Sequence, residues 1–229
     1  MDAINAKTVK GLTLIELLIT IVILSMVIGL ASYSFSLFSS HWSTSRDSFA
    51  RASGAFQRVE LVRTAVENGI AWAVRDRKSG DIGFYFLGRE EGFTLVSNDP
   101  VFSVGAPAVI RVFREPDGPG RWKLVYEEAS LRTVSLRHPD QTLPFSHRMV
   151  VIEGLRQLSF RYFGWPSLRI RSGGFEEFGE QAVPDWFDTF DGLQRVQHPQ
   201  LVGMTLDGIE VPLYLPERSD RILDAMLTE

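Results

Sequence analysis

KGLTLIELLITIVIL, residues 10–24, is the stretch that decides the fold of this 229-residue chain. It opens an apolar run from Leu12 to Ala31 in which Glu16 is the only ionisable residue. A helix of that length rises about 30 Å, enough to cross the hydrocarbon core of a bilayer. A charge at the centre of such a helix costs roughly 2 to 3 kcal/mol, so Glu16 needs either a partner or a position near the membrane interface.

The charges that flank the apolar run indicate its orientation. Lys7 and Lys10 precede the run, whereas the next Lys or Arg after it is Arg46. By the positive-inside rule, this asymmetry predicts a cytoplasmic N-terminus and places the rest of the chain outside the membrane. A cleavable secretory signal fits poorly, because the apolar run is longer than a usual signal core and no A-x-A pattern follows it.

The same residues resemble the class III leader of type IV pilins and type II secretion pseudopilins, in which a dedicated prepilin peptidase cuts after a glycine. Lys10, Gly11, Leu12 and Glu16 stand at the matching positions, with Leu12 in place of the family's usual phenylalanine. The resemblance implies that residues 1–11 are a leader peptide, that cleavage falls between Gly11 and Leu12, and that Leu12 becomes N-methylated. It also implies that Glu16 attracts the cationic terminus of a neighbouring subunit during assembly. An uncleaved signal anchor is the alternative.

The helical pattern continues beyond the apolar run. Apolar residues recur at steps of three and four, and Asn68-Gly69 provides a stop signal. We therefore predict one helix that ends at Glu67, with a transmembrane half over residues 12–33 and an amphipathic half over residues 34–69. The amphipathic half should lie on the domain that follows.

After Gly69 the apolar period changes to two, which indicates β-strands. The clearest are two hairpins, one across the turn at 116–120 and one across Asp207-Gly208. Pro212 has no amide to donate, so the strand that holds it should lie at a sheet edge. The predicted strands cover residues 84–88, 108–115, 121–128, 158–162, 202–206 and 209–215. Residues 70–229 are therefore predicted to form a β-rich domain.

One long N-terminal helix followed by antiparallel strands is an α+β, pilin-like architecture. The strands are interrupted by a long insertion from Pro166 to Pro199, rich in aromatic and acidic residues. An insertion of that length in a compact domain is usually functional or ordered by its own contacts.

Acidic residues in the insertion are the candidates for a calcium site. They are Asp185, Asp188 and Asp191, with Glu176, Glu177 and Glu180 upstream. Clustered carboxylates can supply several of the roughly six to eight oxygens that calcium takes, but the EF-hand spacing is absent. A solvated acidic loop is the commoner case, so we expect no metal or other cofactor.

The sequence supplies no catalytic constellation. Its four histidines are scattered without metal-ligand spacing, at His41, His138, His147 and His198. No nucleophile elbow of the form G-x-S-x-G and no phosphate-binding loop occurs. A net charge of −4 provides no broad basic surface for nucleic acid. We therefore expect a protein that is not an enzyme and does not bind nucleic acid.

A second, looser resemblance concerns the rest of the chain. The segments at 158–165 (LSFRYFGW) and 198–208 (HPQLVGMTLDG), together with Trp186, are similar to the J-type minor pseudopilin of type II secretion. The resemblance implies a subunit of the pseudopilus tip, anchored by a single pass in the bacterial inner membrane with its C-terminal domain in the periplasm. Its partners would be the I-type and K-type minor pseudopilins and the major pseudopilin. They would pack on the helix face that carries Phe49, Phe56 and Val59.

Two alternatives remain open at this stage. A minor pilin of a type IV or competence pilus shares the same N-terminal pattern. A membrane-anchored periplasmic enzyme or binding protein would use the helix as an anchor alone, and a plain anchored binding protein would keep residues 1–11.

Overall fold

The computed structural model of the chain describes residues 14–171 and 183–216, with the backbone alone at 37–52 and 169–170. The chain divides into two compact units at the junction of Ser53 and Gly54. Its described part is α+β: an apolar N-terminal helix is followed by antiparallel β-sheets in a pilin-like arrangement. The predicted fold class is confirmed.

The first helix, α1, spans Leu14–Glu67 and ends where the sequence predicts. Its C-terminus is closed by Asn68, whose backbone N and side-chain Nδ2 both donate to the carbonyl of Thr64, at 3.0 and 2.9 Å. This double contact satisfies one of the carbonyls that a helix end leaves without an intrahelical partner. Gly69 follows because a Cβ there would lie 2.9 Å from the carbonyl oxygen of Val66.

The last turns of α1 belong to the second unit and pack into its core through one apolar stripe. Val62, Ala65 and Val66 are fully buried, and Val59 is partly buried against the same core. These positions recur at three- and four-residue steps, which places them on one face of the helix. Burial of a valine side chain contributes about 1.5 to 3 kcal/mol, so this stripe fixes the helix end on the sheet.

The other elements of the described chain are short strands and two single-turn helices. The strands are β1 Gly69–Ile70, β2 Ala73–Arg75, β3 Ile82–Phe84, β4 Phe86–Arg89, β5 Gly92–Ser97, β6 Ala108–Pro116, β7 Trp122–Ser130, β8 His147–Leu155, β9 Leu158–Gly164, β10 Asp185–Phe187, β11 Phe190–Asp191, β12 Leu201–Leu206 and β13 Ile209–Tyr214. The helices are α2 Leu168–Arg171 and α3 Gly192–Arg195.

The larger sheet has the strand order β11-β4-β5-β6-β7-β8, with β1 added beside β5. Its centre is the hairpin of β6 and β7, in which Val112 pairs with Tyr126 and Ile110 pairs with Glu128. This hairpin confirms the prediction from the alternating pattern and the Pro-Gly turn between the strands. A separate two-stranded sheet holds β2 and β3.

The four-stranded sheet has the order β10-β9-β12-β13. The second hairpin predicted from the sequence is confirmed as the pair β12 and β13. Asp207 and Gly208 lie in its turn with φ angles of 47° and 86°, as a type I′ turn requires. Pro212 lies on β13 at the end of the sheet, also as predicted. The Asp207 carboxylate accepts hydrogen bonds from the backbone N of Arg156 and Gln157, at 2.7 and 2.8 Å, and these bonds lower its pKa.

One predicted strand is wrong. Residues 84–88 form two strands instead of one, because β3 ends at Phe84 and β4 begins at Phe86. Between them Tyr85 donates its backbone N–H to the carbonyl of Trp72 at 2.8 Å, and the chain passes from one sheet to another. All three aromatic residues are buried, so the segment has no alternation of exposed and buried positions that would reveal the break.

The main core joins α1 to both of the larger sheets. Its largest buried side chains include Phe86, Phe93, Tyr126, Phe160, Tyr162 and Met204. Phe86 packs edge to face on Tyr162 with ring centroids 5.7 Å apart, and Phe93 packs in the same way on Phe160 with ring centroids 5.8 Å apart. A second buried cluster, around Val96, Val109 and Ala129, is covered by the segment that includes Leu136.

Gly88 allows the two sheets to approach each other. The aromatic ring of Tyr162 lies where a Cβ on Gly88 would be, with ring carbons 2.7 to 2.9 Å away. From this position the Tyr162 hydroxyl oxygen lies 2.7 Å from the carbonyl oxygen of Arg89 and 2.9 Å from that of Gly92, and its one proton is shared between them. The glycine is therefore a packing requirement of the core.

We expect Gly88→Ala to lower the free energy of unfolding by about 2 kcal/mol, because the methyl group would overpack a core with no room to move. Chemical denaturation of the full-length protein in micelles, followed by tryptophan fluorescence, measures the loss. Gly54→Ala is the matched control, since its Cβ would meet only the Arg58 Nη1 atom at 3.5 Å and alanine favours the helix. Equal stability of Gly88→Ala and the native chain would contradict this description of the core.

Candidate assembly site

The N-terminal part of α1 is the first component of the candidate site. Leu14–Ser36 is a 23-residue span, long and apolar enough to cross a membrane, and its side chains are exposed. Glu16 is the acidic residue in the first turn of the helix and the only charged residue of the span. Because a negative charge is favourable at a helix N-terminus, the helix itself tolerates this position.

Two hydroxyl groups in the span are satisfied by the helix backbone. Thr20 Oγ1 donates to the carbonyl of Leu17, and Ser25 Oγ donates to the carbonyl of Ile21, each at 2.8 Å. In lipid such internal bonds remove most of the cost of a polar side chain. Glu16 is thus the residue whose chemistry sets this span apart from a plain anchor.

The predicted cleavage and methylation residues, Gly11 and Leu12, lie outside the described residues. The helix is described from Leu14, the third residue of the predicted mature chain, and Glu16 would be its fifth residue.

The predicted partner-binding face of α1 is only partly available. Phe56 is 71% exposed, but Val59 is packed against the chain's own core, and the side chain of Phe49 is not described. Val59 thus contributes to the core of its own subunit, and its contact with partners stays a prediction. The sequence reasoning missed Leu61, which is 47% exposed on the same helix.

The three aspartates of the insertion are engaged in separate local contacts. Asp185 accepts a hydrogen bond from the backbone N of Trp186 at 2.7 Å. Asp188 forms an ion pair with Arg161 at 3.1 Å. Asp191 caps the N-terminus of α3 by accepting hydrogen bonds from Leu193 N and Gln194 N, at 2.9 and 3.3 Å. Each carboxylate has a structural role that explains its presence.

Within residues 14–171 and 183–216, no group of three or more histidine and carboxylate side chains is placed to hold a metal ion. The upstream acidic residues of the calcium hypothesis, Glu176, Glu177 and Glu180, lie outside that part of the chain. The described carboxylates therefore give no support to a metal centre.

The described histidines have unrelated environments. His138 Nδ1 lies 2.8 Å from the carbonyl oxygen of Arg75, and His147 stacks on Phe102 with ring centroids 5.2 Å apart. His198 is buried, with its ring centroid 6.0 Å from that of Phe84 and 5.7 Å from that of Phe86. His41 belongs to the segment whose side chains are not described.

Burial of His198 makes the fold sensitive to acid. Desolvation lowers the pKa of His198 from its ordinary value of 6.5 to about 4, and its Nε2 atom has no hydrogen-bond partner in the described chain. Below pH 6.5 the His198 side chain of the unfolded chain therefore binds a proton, whereas in the folded chain it binds one only when the pH falls to about 4. The corresponding stability is fully present above pH 6.5 and is lost as the pH falls towards 4.

We expect about 3 kcal/mol of unfolding free energy to disappear between pH 6.5 and 4 on account of His198, at 1.36 kcal/mol for each pKa unit. His198→Phe should flatten this part of the stability profile, measured by denaturation at closely spaced pH values. His147→Asn, which changes an exposed ring, should leave the slope as it is. An unchanged slope in His198→Phe would refute the assignment.

The comparisons with known proteins bear on the N-terminal site. Residues 6–32 match the family model described as the prokaryotic N-terminal methylation motif. The match covers Gly11, Leu12 and Glu16, and continues into the apolar span of α1. A search of the curated proteins found no significant match.

The motif, together with the apolar helix and the antiparallel sheets, supports a type IV pilin-like protein. The helix fits a single-pass, membrane-anchored protein of this class. The motif is shared by pilins and pseudopilins, so this identification stops at the class.

Proposed function

We propose that the chain is a J-type minor pseudopilin of a type II secretion system, a structural subunit of the pseudopilus tip that helps to start assembly and to export folded proteins. The observation that carries its pilin-like part is the N-terminal methylation motif, continuous with an apolar helix that bears one carboxylate. The J-type part rests on the resemblance of residues 158–165 and 198–208. Its task is assembly rather than catalysis.

Processing prepares the subunit for assembly. The prepilin peptidase cuts between Gly11 and Leu12, and Leu12 is then N-methylated. Lys7 and Lys10 hold the leader on the cytoplasmic side of the inner membrane, so the second unit lies in the periplasm. Removal of the leader creates a cationic amino terminus four residues before Glu16.

Glu16 sets the position of the subunit among its neighbours. The new terminus of an adjacent subunit lies against the Glu16 carboxylate within the bundle of helices. Opposite charges attract strongly where water is scarce, but the gain exceeds the cost of desolvation only when the geometry is good. The pair therefore favours one axial register between subunits.

The J-type assignment is supported by two segments on neighbouring strands. The 158–165 and 198–208 segments, which resemble that subunit, contribute β9 and β12, and these strands pair along their length from Leu158–Leu206 to Phe163–Leu201. The helix face of Phe49, Phe56 and Val59, with the exposed Leu61 beside it, would meet the I-type, K-type and major pseudopilins. Head-to-tail contacts that do not close into a ring produce a filament, and a subunit with a different upper surface caps it.

Deletion of the encoding sequence tests the assignment. A strain that lacks the protein should retain folded exoproteins in the periplasm, while its type IV pili and its uptake of DNA are unchanged. Expression of the native chain in that strain should restore secretion. Loss of pili or of DNA uptake with normal secretion would instead identify a minor pilin.

A further inference from the structure

The exposed face of the four-stranded sheet carries an aromatic side chain seated on a glycine. The indole of Trp186 lies so close to Gly203 that a Cβ there would approach the Cη2 and Cζ3 atoms of the ring to 2.9 Å. Phe163 supports the indole from the side, with ring centroids 5.4 Å apart. Trp186 nevertheless remains 37% exposed, so part of its apolar surface faces solvent.

A small pocket opens beside this indole. Its volume is about 140 Å³, and its described walls are Trp186, Gly203 and the side chains of Arg161, Thr205 and Glu210. The strand register places the three polar residues together, because Thr205 pairs with Glu210 on β13 and Gly203 pairs with Arg161 on β9. The pocket thus has one aromatic wall and one wall of mixed donors and acceptors.

The pocket carries charges of both signs, so a ligand with a single net charge meets a like charge in it. Arg161 lies 5.8 Å from the centre of the Trp186 ring and is paired with Asp188, so a bound cation would meet a guanidinium group. Glu210 takes part in no ion pair among the described residues, so a bound anion would meet a carboxylate. Because like charges repel, the pocket disfavours a ligand with a net positive or net negative charge.

The polar wall also excludes a purely apolar ligand. Such a group would cover Glu210 and Thr205 without replacing their hydrogen bonds to water, which costs free energy. The fitting ligand is neutral, with an apolar face for the indole and hydroxyl groups for the opposite wall.

We propose that this pocket binds one neutral sugar ring. The C–H face of a pyranose packs on Trp186, while its hydroxyl groups donate to Glu210, accept from Arg161 and do both with Thr205. Pockets for drug-sized ligands measure roughly 300 to 1,000 Å³, so this smaller pocket holds a single ring with further units in solvent. The proposal does not depend on the proposed function.

The test uses the full-length protein in phosphatidylcholine nanodiscs, because detergents with sugar head groups would compete. The neutral sugars N,N′,N″-triacetylchitotriose and maltotriose are titrated separately by calorimetry and by saturation-transfer NMR. At least one trisaccharide should bind saturably, with a dissociation constant on the order of 1 mM. Trp186→Ala and Glu210→Gln should each weaken this binding about tenfold or more, whereas Glu153→Gln, an exposed change on β8, should leave it unchanged.

Three results would overturn the proposal: no saturable binding of either trisaccharide, equal binding by the native chain and Glu210→Gln, or stronger binding of inorganic phosphate or lysine amide. Circular dichroism reports whether each variant keeps its β-sheet. If Trp186→Ala fails to fold, Thr205→Val replaces it, since this nearly isosteric change removes one hydroxyl group from the pocket. Thr205→Val should then weaken trisaccharide binding at least about threefold.

Discussion

Glu16→Ala will leave cleavage after Gly11 intact and will lower incorporation of the subunit into the filament about tenfold or more. The peptidase acts at Gly11, ahead of the apolar span, so the change does not touch the bond that is cut. Assembly decreases because the proposed attraction to a neighbouring amino terminus is lost. A tenfold change in an equilibrium corresponds to about 1.4 kcal/mol, which is a modest part of the interaction energy of a charge pair in a low-dielectric environment.

The measurement compares the amount of subunit in sheared filaments with the amount of processed subunit in the membrane. Ser25→Ala is the matched control, because it removes a polar side chain from the same span. The Ser25 hydroxyl donates to the carbonyl of Ile21 in its own helix. It should assemble normally. Normal incorporation of Glu16→Ala would show that the carboxylate does not set the position of the subunit.

Glu128→Ala should lower the free energy of unfolding by about 4 kcal/mol, the largest stability effect that we expect in the sheet domain. Glu128 is fully buried, and its carboxylate accepts hydrogen bonds from Phe102 N, Ser103 N and the Tyr126 hydroxyl, at 3.0, 2.6 and 2.8 Å. Alanine would leave two backbone amides and a phenol without their acceptor. The loop after β5 would then lose two of the hydrogen bonds that attach it to β7.

Glu128→Gln should lose about half as much stability as Glu128→Ala. The side-chain oxygen of glutamine can still accept a hydrogen bond, whereas its NH₂ group would face one of the donors that now bind the second carboxylate oxygen. Glu153→Ala is the control, since it removes an exposed glutamate from β8 in the same sheet. Denaturation of all three variants in the same micelles, followed by fluorescence, provides the comparison. If Glu128→Ala is as stable as the control, the buried carboxylate is not the anchor of the loop.

Local signals explain the parts of the fold that sequence predicts correctly. Asn68 and Gly69 stop α1, and Asp207-Gly208 reverses the chain between β12 and β13, because these residues have strong conformational preferences of their own. The predicted role of Glu16 also rests on a local signal. A lone carboxylate in an apolar run is visible without any knowledge of tertiary structure.

Tertiary packing decides the parts that sequence reasoning missed. The buried face of α1 includes Val62 and Ala65, and the sequence predicted that this half of the helix lies on the domain without naming these residues. Glu128 stands at an inward-facing position that should be apolar, and only the loop amides that approach it make the charge tolerable.

The pocket beside Trp186 could not be predicted for the same reason. Trp186 and Gly203 lie on strands separated in the sheet by β9, and their contact depends on the register of three strands. Sequence alone marks Trp186 as an aromatic residue of the insertion. It does not indicate which strand the indole covers.

The intact mass of the protein extracted from the membrane tests the central claim most directly. Our account predicts a chain of 218 residues (229 − 11 = 218) that begins at Leu12 and carries one added methyl group on its amino terminus. A mass that corresponds to all 229 residues, with Lys7 and Lys10 still attached, would contradict it.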